Sequence, residues 1–355
     1  MKKRLINSHT RGGGGVGVTH MSSKKPFLSL VCILALTCAS QANDKVTAKW
    51  ERNNIKQEAQ FNPANGDLNL NQQPNNPYKT VEFIFGSSVT GTLGVNVFGG
   101  MNMGDMTITS EKTSGDATTN LSLNNASMKT LTVGEKNTIN ITIQNASDKI
   151  ETIDNKGTMT INNKGQTITT LTNTGGTINN TSGSINTLTS NQGGNITNAG
   201  TITSLTYTAA PTTKAIQTKA STDSITNTGT ITTFTNNGGH ITNSGNGNIT
   251  NLTNSNGNVN NQSGTITTLN NTGGNVNNSA NIQTLQSTNG NINNMKGTIS
   301  TLTNNNGGSL NNIQGTIENL KITSGDFELN NMQQGRIANI EIAGNGNINI
   351  NDNMN

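Results

Sequence analysis

From residue 168 onward an Ile-x-x-Leu pair returns at a nearly fixed interval, and this period constrains the fold more than any other feature of the chain. The pairs are Ile168/Leu171, Ile185/Leu188, Ile202/Leu205, Ile231/Phe234, Ile249/Leu252, Ile266/Leu269, Ile282/Leu285, Ile299/Leu302 and Ile317/Leu320. Successive pairs are 17, 17, 29, 18, 17, 16, 17 and 18 residues apart. Between them stands a third apolar residue: Ile178, Ile196, Ile225, Ile241, Val259, Val276, Ile292 and Leu310. A period near 17 sustained this long is the mark of a repeat architecture.

Residues three apart share a helical face, so a helix is the first rival. Each unit, however, carries glycines such as Gly273-Gly274 amid Thr and Asn. One interior Gly costs a helix about 1 kcal/mol relative to Ala, whereas β-branched Ile, Val and Thr favour strands. Within a single strand, residues three apart point to opposite faces. Ile266 and Leu269 can both point inward only if the chain turns a corner between them, and the Gly and Asn after the Leu supply the positive φ of a second corner. The reading is all-β: a parallel β-solenoid, with a right-handed β-helix as the expected hand, about 17 residues per coil and three short faces around a narrow interior.

Three buried aliphatic side chains contribute roughly 1.5–3 kcal/mol each, against about 1–2 kcal/mol of backbone entropy per residue. One coil therefore cannot fold alone. Stacking adds hydrogen bonds along every coil, and inward Asn and Thr are expected to form ladders as in cross-β structures. The competing reading is a disordered or aggregation-prone Asn-rich tract, but disorder does not require Ile and Leu in fixed phase. With hydrophobic residues at 29% and aromatics at 3%, a thin core is all the chain can build.

The 29-residue step holds about 12 extra residues, in the stretch 206–224. Its Tyr207, Lys214, Lys219 and Asp223 are a candidate binding loop, set against the plainer reading of a tolerated insertion. The organisation expected is a leader and signal peptide over 1–42, an N-terminal β cap with irregular first coils over 43–156, regular repeats over 157–320, and less regular, truncated coils over 321–355. The cap contains Trp50 and Tyr78.

The front of the chain reads as an export signal. Lys24 and Lys25 precede an apolar run from Phe27 to Leu36, then Ser40-Gln41-Ala42, which places signal cleavage between Ala42 and Asn43. Residues 1–20 are either a miscalled start upstream of Met21 or a long n-region. Both cysteines, Cys32 and Cys38, fall inside this segment, so the mature chain would form no disulfide or thiolate metal site. Lipidation at Cys38 is disfavoured by the bulky Thr37 before it. Six of the 22 basic residues precede residue 43 and no acid does, leaving 16 against 18 acids. A near-neutral mature chain has no electrostatic footprint for nucleic acid.

The motif search expects no catalytic, cofactor-binding or metal site. After residue 42 the only histidine is His240, read as an exposed corner residue, and no GxSxG elbow accompanies it. GNGNI at 245–249 and 344–348 has the shape of a calcium β-roll, but Asn stands where carboxylates are needed.

The signal peptide, the cysteine-free mature chain, the irregular GTLGVNVFGGMNMGDMTIT leading to LTVG, and the NNKGTI, NTGGTINN and NNNGGSLNN repeats resemble passenger domains of Gram-negative autotransporters. The likeness is greatest to vacuolating-cytotoxin-like surface proteins of Helicobacter and its relatives. The resemblance implies type V secretion to the cell surface, outer membrane or extracellular space. It also implies a host-cell or extracellular surface ligand, and an outer-membrane translocator acting in cis or in trans. Such proteins end in a membrane β-barrel with a terminal aromatic residue; here the sequence reads NDNMN, implying a truncated frame, a fragment, or a passenger exported by a separate partner. NPANG at 62–66 resembles, weakly, a two-partner secretion signal. The function expected is that of a non-catalytic adhesin or structural stalk. The alternatives are a toxin-like passenger and, less favoured for want of clustered acids and bases, a β-helical polysaccharide lyase or hydrolase.

Overall fold

The computed structural model describes residues 45–62, 67–71, 77–89, 91–113, 115–145, 147–210, 224–323, 325–332, 334–345 and 347–353, the side chains of 71, 163–166, 352 and 353 excepted. Every element in it is a strand. The N-terminal part comprises β1 (Val46–Arg52), β2 (Ile55–Phe61), β3 (Leu68–Asn71), β4 (Thr80–Phe85), β5 (Thr92–Ser110), β6 (Ala117–Val133), β7 (Asn137–Ile143), β8 (Lys149–Asn155), β9 (Thr158–Thr174) and β10 (Thr177–Asn191). Thereafter short and longer strands alternate: β11 (Ile196–Asn198), β12 (Thr201–Thr208), β13 (Ser224–Asn227), β14 (Thr230–Asn237), β15 (His240–Asn243), β16 (Asn248–Asn254), β17 (Asn258–Asn261), β18 (Thr265–Asn271), β19 (Asn275–Asn278) and β20 (Asn281–Thr288). The last are β21 (Asn291–Asn294), β22 (Thr298–Asn306), β23 (Ser309–Asn312), β24 (Thr316–Ile322), β25 (Phe327–Met332), β26 (Arg336–Ile342) and β27 (Ile348–Asn353).

The chain is a parallel β-solenoid. Each strand pairs with its counterpart one coil away, so the Ile-x-x-Leu pairs stack in register: Ile249 on Ile266, Leu252 on Leu269, then Ile282 and Leu285. The row begins with Ile168 and Leu171 under Ile185 and Leu188. It passes through Ile202 and Leu205 to Ile231 and Phe234, and ends with Ile299 and Leu302 under Ile317 and Leu320. All eighteen members are at most 1% exposed. Phe234 is the one aromatic in the Leu row; its ring is fully buried between Leu205 and Leu252.

The corner between Ile and Leu is visible in the register, because pairing runs from Ile249↔Ile266 directly to Asn251↔Thr268 and skips Thr250 and Thr267. Two successive residues face outward there, which resets the alternation and turns Leu269 inward. This differs in one respect from the three separate short faces expected, because the corner does not break the strand. Leu171 lies with Ile168 in β9, Phe234 with Ile231 in β14, and Leu302 with Ile299 in β22. Hydrogen bonding to the coils on either side carries each strand through the bend. Val259 stacks on Val276 and Ile292 to complete the third face.

Coil length is not uniform, and averages about 18 residues rather than the 17 of the regular repeats. Val95 pairs with Leu121, 26 residues on, while Leu121, Ile141 and Ile161 follow at intervals of 20. A longer coil encloses a wider interior. The first coils fill it with Phe83, Phe85, Leu93, Met101, Met103, Met106, Leu121 and Met128, all buried; methionine suits such a space because its unbranched chain adapts to irregular gaps.

The N-terminal end is closed by β1, which runs antiparallel to both β2 and β4 and so covers a parallel edge that would otherwise remain open. Trp50 donates from Nε1 to Gln57 Oε1 at 2.7 Å across this hairpin, and Arg52 lies over the Tyr78 ring at 5.1 Å. At the other end, Ile340, Ile342 and Ile350 continue the inward rows from Leu320, Ile322 and Leu329 but are 47%, 55% and 54% exposed.

Candidate functional site

The aliphatic ladder is a core and not a contact surface. Leu171, Phe234 and Leu302, like the Ile residues beside them, are closed to solvent, so no external ligand reaches them and their role is to hold the coils together. The polar interior carries more organised chemistry. In each regular coil the residue two after the Leu, and the residue two after the third aliphatic, also point inward. The second of these positions is a run of nine asparagines, Asn180, Asn198, Asn227, Asn243, Asn261, Asn278, Asn294, Asn312 and Asn331. Each of the first eight donates from Nδ2 to the Oδ1 of the next, at 2.7–3.0 Å. Every bond points the same way along the rod, and such aligned chains polarise one another. The second Nδ2 proton goes to a carbonyl at the adjoining corner, as from Asn243 to Gly247 O and from Asn278 to Ala280 O, both at 3.1 Å.

The other inward polar row is interrupted. Asn236, Asn254 and Asn271 are linked at 2.7 Å, but Ser190, Ser287 and Tyr207 stand in the same row. The inward amides also explain a corner glycine: a Cβ on Gly257 would overlap Asn236 Nδ2 and Gly239 O. Threonine, expected beside asparagine in these ladders, contributes only Thr119 to the buried polar side chains among the described residues. A hydroxyl has one proton to give, whereas the carboxamide can give one along the rod and another to the corner.

The candidate binding loop is corrected at one residue. Tyr207 is fully buried; it occupies an asparagine position in the second row, between Ser190 and Asn236, and donates its hydroxyl to Gly194 O at 2.7 Å. It belongs to β12 and not to a protruding segment, because Leu205-Thr206-Tyr207 repeats the alternation of Leu188-Thr189-Ser190. Lys214, Lys219 and Asp223 lie outside the described residues, as do Ala42 and Asn43 at the expected cleavage site.

Outside, the face formed by the short strands is lined by amides. Asn293, Asn311, Asn330 and Asn351 each donate to the outward asparagine of the preceding coil at 2.8–2.9 Å, opposite in direction to the inner ladder. His240 lies at the head of β15 on this face, stacked between Ser224 and Asn258. Its Nδ1 lies 3.0 Å from Asn258 Nδ2 in a hydrogen bond between adjacent coils. Together with Thr242, Asn260, Asn275 and Asn277 these residues form a shallow trough.

Two carboxylates are specially held. Asp148 is fully buried and accepts from the backbone N–H of Ala126 at 2.6 Å and of Asn145 at 2.8 Å, fastening the β7–β8 turn to β6. The exposed Glu151 accepts from Lys149 Nζ at 2.8 Å, and that hydrogen bond, with the Lys149 charge, holds its carboxyl below the usual range. No group of three or more His, Cys, Asp or Glu side chains that could hold a metal ion occurs among the described residues. No helix among them is long and apolar enough to cross a membrane. Comparison with protein-family models, curated proteins and solved structures finds no match for the chain.

Proposed function

We propose that the chain is an exported β-helical rod displayed at a cell surface, where it acts as an adhesive or structural passenger of the autotransporter kind. The observation that carries this reading is the parallel pairing that runs from β3 to β27 with only local bulges, in which each coil pairs only with its neighbours. A fold built from nearest-neighbour contacts can grow coil by coil from one end, which suits a chain that crosses an outer membrane unfolded. Aliphatic and asparagine ladders hold the interior without a disulfide. The outer faces of residues 224–323, where only Lys296, Glu318 and Lys321 are charged, offer contact area to a surface ligand.

The test uses the full chain produced in a Gram-negative host with candidate outer-membrane translocators. Antibody raised against the purified chain should label intact cells if the rod is displayed, and labelling that appears only after the cells are permeabilised would reject surface display. Purified chain applied to epithelial cells separates the two passenger readings. Saturable attachment without permeabilisation supports the adhesin, while vacuolation or dye leakage supports the toxin-like alternative.

A further inference from the structure

We propose that one corner of the rod carries four sites of spontaneous deamidation, Asn237-Gly238, Asn256-Gly257, Asn289-Gly290 and Asn306-Gly307, and that the asparagine ladders are built to escape the same reaction. These pairs follow the inward row Asn236, Asn254, Ser287 and Asn304, whose members stack in register, so they share a single corner. In the reaction the backbone nitrogen of Gly attacks the Asn Cγ; the new N–Cγ bond closes a five-membered imide. The Cγ–Nδ2 bond breaks and ammonia departs with the amide proton. Water then opens the imide at either carbonyl, giving aspartate or isoaspartate.

Three features favour the reaction at this corner. The four asparagine side chains are exposed. The following residue has no side chain to shield its nitrogen. The N–H groups of Gly238, Gly257, Gly290 and Gly307 make no hydrogen bond within the described residues, so nothing holds the nucleophile in place. Asn246-Gly247 is the internal control: Asn246 is equally exposed, but Gly247 N–H donates to Ser244 O at 2.9 Å.

The ladder asparagines differ at every point. None of the nine from Asn180 to Asn331 precedes a glycine. The residue after seven of them is also tied to the preceding coil, as Ser244 N to Asn227 O, Gln262 N to Asn243 O, Ser279 N to Asn261 O and Met295 N to Asn278 O, all at 2.8–2.9 Å. Within residues 224–323 the charged side chains are Lys296, Lys321 and Glu318, a net +1. Four conversions would add four negative charges and make it −3, giving a neutral rod an acidic edge while its core stays intact.

The experiment incubates the purified full chain at neutral pH in 18O-enriched water, natively and in denaturant, and follows each site by peptide mass spectrometry and isoaspartate detection. In the native protein the four corner sites should take up 18O first, Asn246 should lag behind them, and the ladder asparagines should remain unchanged. In denaturant Asn246 should catch up with the other four. Native conversion of Asn246 as fast as the corner sites would overturn the proposal. So would a native corner that stays amidated while the denatured chain converts. Retention of the native far-UV circular dichroism throughout separates failure of the proposal from failure of the rod.

Discussion

Asparagine is short enough to stay within one coil, yet its carboxamide can accept from one neighbour and donate to the next. That dual capacity is what lets a polar row run through a buried interior, and it makes each inner rung depend on two others. Asn261→Leu keeps the branching at Cγ but leaves one Nδ2 proton of Asn243 and the Oδ1 of Asn278 facing methyl groups. An unsatisfied buried polar group costs about 1–3 kcal/mol, so urea denaturation should show a loss of at least that size. Asn260→Ala, one residue away and outward, should shift stability by less than about 0.5 kcal/mol. Equal effects at the two positions would mean that the ladder does not bear on stability. Tyr207→Phe, which removes the hydroxyl that donates to Gly194 O, should cost about 0.5–1.5 kcal/mol on the same measurement. The Lys149–Glu151 pair has a definite sign with pH. Because the folded carboxyl titrates below its unfolded value, its stabilisation is present above the unfolded pKa and fades as pH falls through the folded one. Glu151 is exposed, so the contribution is small.

At the scale of the coil, the aliphatic rows decide whether the element exists. Leu269 is fully buried between Leu252 and Leu285, and Leu269→Asp would put a carboxylate where the interior supplies no partner. The neighbouring coils lose their template as well, so a cooperative block should unfold. Far-UV circular dichroism and protease resistance unchanged from wild type would contradict the coil. This much was legible in the sequence, because one Ile-x-x-Leu pair per period forces a corner between Ile266 and Leu269. That the strand runs unbroken through the corner was not legible, since its continuity depends on pairing with the coils above and below. That inward asparagines stack in ladders was legible, but which asparagines they are was not. Their positions follow from the Ile/Val-x-Asn triplets, such as Val259-Asn260-Asn261, once the alternation restarts after the corner. The first coils were opaque for a physical reason: steps of 26 and then 20 residues give no fixed phase, and a wider core filled by Met103, Met106 and Met128 leaves no short motif. Tyr207 was misplaced because an aromatic beside an insertion looks like a loop residue, when its ring in fact fills an asparagine slot.

Over the whole molecule, stability is shared among neighbours and falls toward places where a neighbour is lacking. The insertion tests how local that sharing is. Thr201–Thr208 pairs in full register with Thr230–Asn237, and Ile196–Asn198 with Ile225–Asn227, although 29 residues separate these partners where the neighbouring regular coils use 16–18. Replacing residues 211–223 by a short Gly-Asn turn should therefore preserve the far-UV spectrum and the melting temperature, and collapse of the fold would show that the segment is structural. The two ends differ more sharply. At the N-terminal end β1 covers the first coil through antiparallel pairs on both sides. At the other end β26 and β27 pair on one side only among the described residues, and Ile340, Ile342 and Ile350 of the inward rows stand half exposed. In a nearest-neighbour array a coil with one partner opens at lower free energy than a coil with two. Native-state hydrogen exchange should then show amides of β26 and β27 exchanging first, those of β14 to β20 last, and β4 and β5 nearer the middle than the exposed end. Uniform protection along the rod would mean that it opens as one unit, and would contradict a stability assembled coil by coil.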